Sequence, residues 1–369
     1  MAHPPTLRMP SVAAAALSSH SHSHSSHTTK AACRIVRAAP AAAMMLEPIR
    51  VSFKCRAYTL AALLYTPAEG SPRRGGAAVI ICPAWTGVKE QAPSNYARVL
   101  AAAGFTCLCY DAVFQGESTG EPRYLEDPAQ RVEDIKAAVT YLTSRDDLVD
   151  RRRIGVLGIC ASGGYACTAA QTDVRVAAVA TLSAICVGAM ARRGLDQNFG
   201  DGTLTVLQAR LEVASVDRNS DITGRKMGTM QVLPRHFDPA HPPKGMSESF
   251  CDLASYYRTD RGRHPRAPNT CLPRSWDLMA NYDAFQWNRM ISPRPVLAIA
   301  GTKAATRWFS EDAVARAADE RAELFMVEGR THADLYDHVD VAAEKLVEFF
   351  TRFLATKGVV KEERASPRS

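Results

Sequence analysis

Arg153-Ile154-Gly155-Val156-Leu157-Gly158-Ile159-Cys160-Ala161-Ser162-Gly163-Gly164-Tyr165 is an apolar run that turns abruptly into small residues. Ile154 to Gly158 suits a buried parallel strand, and the small residues after it suit a helix packed closely against that strand. A side chain at the tight turn between them stands at the apex of a nucleophile elbow. In the G-x-S-x-G form of this turn the nucleophile follows a glycine by two residues, so counting from Gly158 puts Cys160 at the apex. A thiol there forms a thioester intermediate that water or another acceptor can discharge, so the chemistry implied is acyl transfer. Ser162 is the rival nucleophile, with Cys160 and Gly164 as its small neighbours, but its turn would begin two residues further from the strand. The bland alternative is that Cys160 is a small buried hydrophobe. The chain has ten cysteines, and only this one has this context.

Outward from the elbow, strand and helix patterns alternate. Ile49 to Lys54, Tyr58 to Tyr65, Ala77 to Cys82 and Phe105 to Tyr110 read as strands, with a helix over Asn95 to Ala103. Asp127-Pro128 supplies a capping acid and a first-turn proline for a helix whose apolar face is Val132, Ile135, Ala138, Val139 and Leu142. A helix from Cys160 to about Ala170 and a strand over Val176 to Ser183 follow. After an irregular stretch the pattern resumes with Pro295 to Ala300 (strand), Ser310 to Ala318 (helix), Glu323 to Glu328 (strand) and Val341 to Leu354 (helix). This order predicts an α/β class fold, a mostly parallel sheet with helices on both faces. Residues 187 to 290 mix Gly, Pro, Arg and polar clusters with patches of helical spacing at Leu204 to Leu211 and Ser275 to Tyr282. A structureless loop that long does not suit a compact domain, so the stretch is expected to be a partly helical cap inserted over the active site. The organisation expected is an extension over residues 1 to 46, one domain over 47 to 354 and a polar tail from 355 to 369.

The chain has 369 residues, 46% of them hydrophobic, which is ordinary for a globular protein. Its formal charge of +7 is partly an end effect. Residues 1 to 46 hold four Arg or Lys and no acid, leaving 41 minus 38, or +3, for the rest. Nucleic-acid binding is not implied, and no apolar run reaches the roughly 18 residues of a membrane span. Cysteines without C-x-x-C pairs point to a reduced, cytoplasmic setting rather than to disulfides or zinc. The first 46 residues are rich in Ala, Ser and His and carry Arg8, Arg34 and Arg37, a composition shared by organelle transit peptides and by disordered extensions. Initiation at Met44 or Met45 is a further reading of the same segment. The run from Ser19 to His24 reads as low complexity rather than as a metal site.

Several segments together give the chain a wider resemblance. They are Gly87-Val88-Lys89-Glu90-Gln91, Gln115-Gly116-Glu117-Ser118, Glu126-Asp127-Pro128 with Arg131 to Ile135, the elbow, Tyr256-Tyr257-Arg258-Thr259, and Thr331-His332-Ala333-Asp334-Leu335-Tyr336-Asp337. From about Glu47 to Leu354 the chain resembles α/β-hydrolases. Within them it resembles the dienelactone-hydrolase-like group and the hydrolases related to fungal polyketide transferases and thiohydrolases. The resemblance implies an α/β-hydrolase fold with an inserted cap. One fold hosts many chemistries, so it does not by itself choose the substrate.

In this fold the triad runs nucleophile, acid, histidine along the chain. His332, after the last strand, fits the third role, with His338 as the nearest rival. The acid is where the pattern departs. The loop after Pro295 to Ala300 reads Gly301-Thr302-Lys303-Ala304-Ala305-Thr306, and no carboxylate appears before Glu311 and Asp312. Those two are the candidates for orienting His332, although capping a helix at Ser310 also explains them. Asp334 and Asp337 are candidates too, with local turn bonding the simpler reading. A Cys160-His332 dyad is chemically sufficient without a third member, since thiol and imidazole can ionise together and a helix starting near Ala161 would lower the thiol pKa.

The elbow geometry makes the backbone N–H of Ala161 one oxyanion donor, with a second expected from Ala84 or Trp85. Trp85 is also a candidate wall of the acyl pocket. Asp111, Gln115, Gly116 and Ser118 read as turn stabilisers. Arg258, Arg261, Arg263 and Arg266 form either a solvated basic face or a contact for an acidic carrier. The scheme needs no cofactor and no metal, and its expected partner is a small acyl substrate, free or carrier-bound. The competing class is a non-catalytic binding protein that keeps the hydrolase pocket, and the acid-free Lys303-Ala304-Ala305 loop supports it. A peptidase is a third reading, which asks for better leaving-group protonation than an unoriented histidine gives.

Overall fold

The computed structural model describes residues 46–196, 203–224 and 228–355. The N-terminal extension and nearly all of the polar tail lie outside the described residues. The strands are β1 (Ile49–Cys55), β2 (Tyr58–Tyr65), β3 (Ala78–Cys82), β4 (Thr106–Tyr110), β5 (Ile154–Ile159), β6 (Val176–Leu182), β7 (Met230–Gln231), β8 (Thr270–Cys271), β9 (Val296–Gly301) and β10 (Ala322–Val327). The helices are α1 (Ala92–Ala102), α2 (Pro128–Thr143), α3 (Ala161–Thr172), α4 (Val187–Arg193), α5 (Thr203–Thr223), α6 (Glu248–Arg258), α7 (Ser275–Ala280), α8 (Arg307–Ala317), α9 (Asp334–Asp337) and α10 (Asp340–Phe350).

Eight strands form one sheet in the order β1-β2-β4-β3-β5-β6-β9-β10. The pairs β1/β2 and β2/β4 are antiparallel, and all the others are parallel. β3 and β5 are buried along their whole length, which is why they read as unbroken apolar runs rather than as alternating ones. Asp127 caps α2 by accepting from the N–H groups of Ala129 and Gln130, and the apolar face from Val132 to Leu142 is buried as its spacing requires. This is the α/β-hydrolase architecture, with the carboxyl ends of the parallel strands gathered along one edge.

Two helix starts differ from expectation. α1 opens at Ala92, because Pro93 occupies its first turn. α8 opens at Arg307 rather than at Ser310, which moves Glu311 and Asp312 off the helix end. Between β6 and β9 the chain forms α4 to α7 and a short antiparallel ribbon pairing Met230 with Cys271. α6 carries the signals of a helix, namely Ser247 at the N-cap and Leu253, Tyr256 and Tyr257 on one buried face. The surrounding Gly, Pro and Arg clusters hide it from a periodicity search.

Candidate active site

Cys160 joins β5 to α3 with φ 57° and ψ −122°. A non-glycine residue held there stores on the order of 1–3 kcal/mol of backbone strain, and the surrounding contacts must over-determine it. They do. The Cys160 N–H donates to the Leu182 carbonyl at 2.9 Å, and its carbonyl accepts from Gly163 (2.8 Å) and Ile185 (2.9 Å). Gly158 is required because a Cβ there would lie 2.1 Å from the Ser162 carbonyl oxygen. Ser162 lies inside the first turn of α3, and its buried hydroxyl donates to the Pro83 carbonyl. It is engaged in holding the loop after β3 rather than in facing the site.

Three groups meet the Cys160 sulfur: the backbone N–H of Ala161, the backbone N–H of Trp85 and the hydroxyl of Tyr336. Of the two donors weighed for the second oxyanion position, the structure brings Trp85 to the sulfur. Ala84 turns its carbonyl away to Arg131 Nη2 (3.2 Å) and to the Gly87 N–H (3.0 Å). Arg131 also holds the Pro83 carbonyl at 3.3 Å. It is buried in turn against Glu126, whose Oε1 accepts from Arg131 Nε (3.1 Å) and from the Tyr165 hydroxyl (2.8 Å). This cluster, which sequence reasoning passed over, fixes the loop that presents the Trp85 N–H. Its signal was the buried pair Glu126 and Arg131 at i, i+5 across a helix cap. Lys89 braces the same loop through Asp111 (2.7 Å) and Glu117 (2.6 Å), while Ser118 donates to the Asp111 carbonyl at 2.6 Å. A Cβ on Gly116 would lie 2.2 Å from the Asp111 carboxylate, so that turn takes glycine for packing reasons.

His332 is buried beside the elbow. Its Nε2 lies 2.8 Å from the Tyr336 hydroxyl and its Nδ1 lies 2.6 Å from the Thr306 hydroxyl. Burial pushes the imidazole pKa down to about 3, with no carboxylate at the ring to offset it. Burial likewise pushes the Cys160 thiol above its ordinary range, outweighing the Ala161, Trp85 and Tyr336 contacts that favour thiolate. The two groups therefore rest neutral. This corrects the expectation of a co-ionised pair: both partners are desolvated, and the Tyr336 hydroxyl contacts each of them.

Neither Glu311 nor Asp312 orients His332. Starting α8 a turn earlier points them outward, where Glu311 pairs with Arg307 (3.6 Å) and Asp312 with Arg316 (2.8 Å). Thr306 stands in their place at the Nδ1 nitrogen. Asp334 and Asp337 pair with Arg261 at 3.2 and 2.8 Å, and the rival His338 is surface-exposed beside Asp337. Asp252 of α6, unforeseen, accepts from the Thr331 hydroxyl (2.9 Å) and the Ala333 N–H (2.8 Å), holding the residues on both sides of His332. Arg258 binds Asn269 and the Pro268 carbonyl, and Arg266 pairs with Glu90. Most of the basic cluster thus has structural partners, and only Arg263 is turned to solvent.

A neutral thiol makes a testable claim about reactivity. The Cys160-dependent rate of iodoacetamide alkylation, taken as wild type minus Cys160→Ala, is expected to keep climbing past about pH 8.5, the ordinary thiol value. A plateau already reached near pH 6 would mean a thiolate-imidazolium pair instead.

A cavity of about 600 Å³, lined chiefly by apolar side chains including Met190, Leu195, Phe250 and Trp276, shares Trp85 with the site, while Cys160 and His332 are not among its lining residues. That size suits a drug-sized acyl group. Trp85 contributes its backbone to the thiol and its ring to the cavity, with Trp276 edge-on to it at 5.9 Å.

Comparison with known proteins agrees with this fold. The model of the Dienelactone hydrolase family matches residues 60–184. The Escherichia coli K12 protein YcjY is 36% identical over 299 residues, 80% of this chain and 95% of YcjY. The crystal structure of PA2218 from Pseudomonas aeruginosa superposes with a TM-score of 0.75 at 34% identity, covering 84% of this chain and 94% of that one. The polyketide transferase grgF of Penicillium sp is 26% identical over 307 residues, 79% of this chain and 96% of its own. Among the described residues no helix is long and apolar enough to cross a membrane.

Proposed function

The chain belongs to the dienelactone hydrolase family of α/β-hydrolase enzymes, and on that premise we propose that it cleaves carboxylic ester, lactone or thioester bonds through an acyl-Cys160 intermediate. The observation that carries this reading is the strained Cys160, whose sulfur meets two backbone N–H groups, one at the start of α3 and one in the loop after β3. A carbonyl carbon attacked by that sulfur brings its oxygen toward the Ala161 and Trp85 N–H groups. There they stabilise the charge that develops in the tetrahedral intermediate. His332, neutral at physiological pH, accepts the thiol proton as the S–C bond forms and returns a proton to the leaving group. The acyl group rests in the cavity walled by Trp85 and Trp276. The substrate proposed is a small acyl compound, free or carried on a thiol.

Transfer of the acyl group to an alcohol rather than to water is the second reading. It is favoured by the mostly apolar walls of the cavity and by the likeness to the Penicillium transferase. Product analysis with a thioester donor, with and without a panel of alcohols, separates the two. Hydrolase action yields free acid throughout, whereas transferase action yields ester and little acid. Recovery of intact thioester from the protein after prolonged incubation would instead mark a binding protein.

The cavity assignment has its own test. Ala191 lines the cavity and is buried. Ala191→Trp is expected to lower kcat/KM for a bulky acyl ester by about tenfold or more, the scale on which a pocket responds to added bulk, while sparing an acetyl ester. Equal loss for both esters would place the acyl group elsewhere.

A further inference from the structure

We propose that the Tyr336 hydroxyl is a catalytic proton carrier between Cys160 and His332. The inference deepens the acyl-cysteine reading and rests on it. Tyr336 touches the nucleophilic sulfur on one side and, at 2.8 Å, His332 Nε2 on the other. Among the described residues, the nitrogens of the His332 ring are taken by Thr306 and Tyr336. The thiol and the imidazole both rest neutral, so the proton must leave sulfur during attack, and the hydroxyl between them is placed to pass it.

The step balances. As the Cys160 S–C bond forms and the carbonyl π pair moves to oxygen, the thiol proton passes to Tyr336 Oη while the phenol's own proton passes to His332 Nε2. When the intermediate collapses the direction reverses. Nε2 returns its proton to Oη, Oη gives one to the leaving group, and the bond from carbon to that group breaks. Tyr336 ends each half-reaction as it began, and no phenolate accumulates. The relay runs through the tautomer in which Nε2 accepts from the Tyr336 hydroxyl and Nδ1–H donates to the Thr306 hydroxyl.

The surroundings hold the hydroxyl in place. Tyr336 is fully buried and packed edge-on against Tyr256 (5.0 Å) and Tyr257 (6.2 Å). Its carbonyl accepts from Asn95 Nδ2 (3.0 Å), and the neighbouring Leu335 carbonyl accepts from the Tyr96 hydroxyl (2.6 Å). α9 is thereby tied to α1. His332 directly precedes Ala333, the N-cap of α9, and Tyr336 lies within that helix, so the helix start brings the hydroxyl to the ring.

Tyr336→Phe keeps the ring packing and removes one oxygen. The expected result is a fall in kcat of about 10²-fold or more, the usual worth of a proton-transfer group. KM should change little, and the proton inventory of the acylation step should change from curved, with two protons in flight, to linear. Placing 3,5-difluorotyrosine at 336 preserves the side chain and makes the phenol more acidic. It is expected to restore activity to within about tenfold of wild type and to keep the curved inventory. Activity of Tyr336→Phe within threefold of wild type, or an unchanged inventory, would overturn the proposal and mean that His332 reaches the thiol directly. Cys160→Ala run alongside separates the two levels. Turnover that survives it overturns the acyl-cysteine reading and the relay with it, whereas loss in Cys160→Ala with retention in Tyr336→Phe overturns the relay alone.

Discussion

Cys160→Ala is expected to reduce kcat/KM for ester and thioester substrates by about 10⁴-fold or more, to the residual level that binding and the oxyanion donors sustain. The sulfur is the one atom that the Ala161 and Trp85 N–H groups and the Tyr336 hydroxyl all face, so no neighbour can substitute for it. Ser162 cannot take over without leaving the Pro83 carbonyl and unwinding the first turn of α3. The protein should stay folded, because removing the sulfur leaves the backbone bonds of Cys160 to Leu182, Gly163 and Ile185 intact. Cys160→Ser makes a finer test. A hydroxyl depends more than a thiol on a strong, oriented base, and His332 has only Thr306 behind it, with no carboxylate to stabilise an imidazolium. The serine variant should therefore retain no more than about 1% of wild-type kcat. Near-normal activity in Cys160→Ser would mean that a carboxylate reaches His332 during turnover.

The second large effect is expected at His332. His332→Gln should lower kcat by about 10³-fold through loss of the proton acceptor, while Cys160 stays alkylable at high pH. The pH behaviour follows from the depressed pKa of about 3. The ring remains unprotonated, and able to accept a proton, from neutral pH down to about pH 4, so wild-type activity should show no loss near pH 6.5 from this group. The same shift has a stability consequence. A group whose folded pKa lies below its unfolded value of about 6.5 contributes fully above that value, and its contribution is lost as pH falls toward 3. Urea midpoints of the wild type should therefore drop on acidification through this window more steeply than those of His332→Gln. Parallel curves would indicate that His332 is solvated and titrates normally.

How much of this could be read from residues depends on the range of the interaction. Unbroken apolar strands such as Ile154 to Ile159 reveal themselves, because burial on both faces removes polar residues from the run. The elbow is legible for a local reason as well: glycine at 158 is demanded by contact with the Ser162 backbone four residues on. His332 follows from chain order in the fold. The acid was misplaced because the start of α8 depends on a single turn, and moving it from Ser310 to Arg307 carries Glu311 and Asp312 to the outer face. Thr306 was invisible because a hydroxyl at a helix start ordinarily reads as a cap. Tyr336 stood in a quoted motif, yet its role emerges only when α9 brings it between two side chains far apart in sequence, Cys160 and His332. Asp252 reaches the histidine loop from a stretch whose helical pattern is interrupted on both sides, and Arg261, legible in sequence only as part of a basic cluster, pairs with Asp334 there.

The central claim is a covalent acyl-Cys160 intermediate, and the direct measurement is rapid acid quench of the enzyme with a slowly deacylating thioester, followed by intact-mass and peptide analysis. The expected result is one acyl mass increment that appears before product release, maps to the peptide containing Cys160, and is absent from Cys160→Ala. An increment on Ser162, or full turnover without any covalent adduct at times shorter than one catalytic cycle, would contradict it.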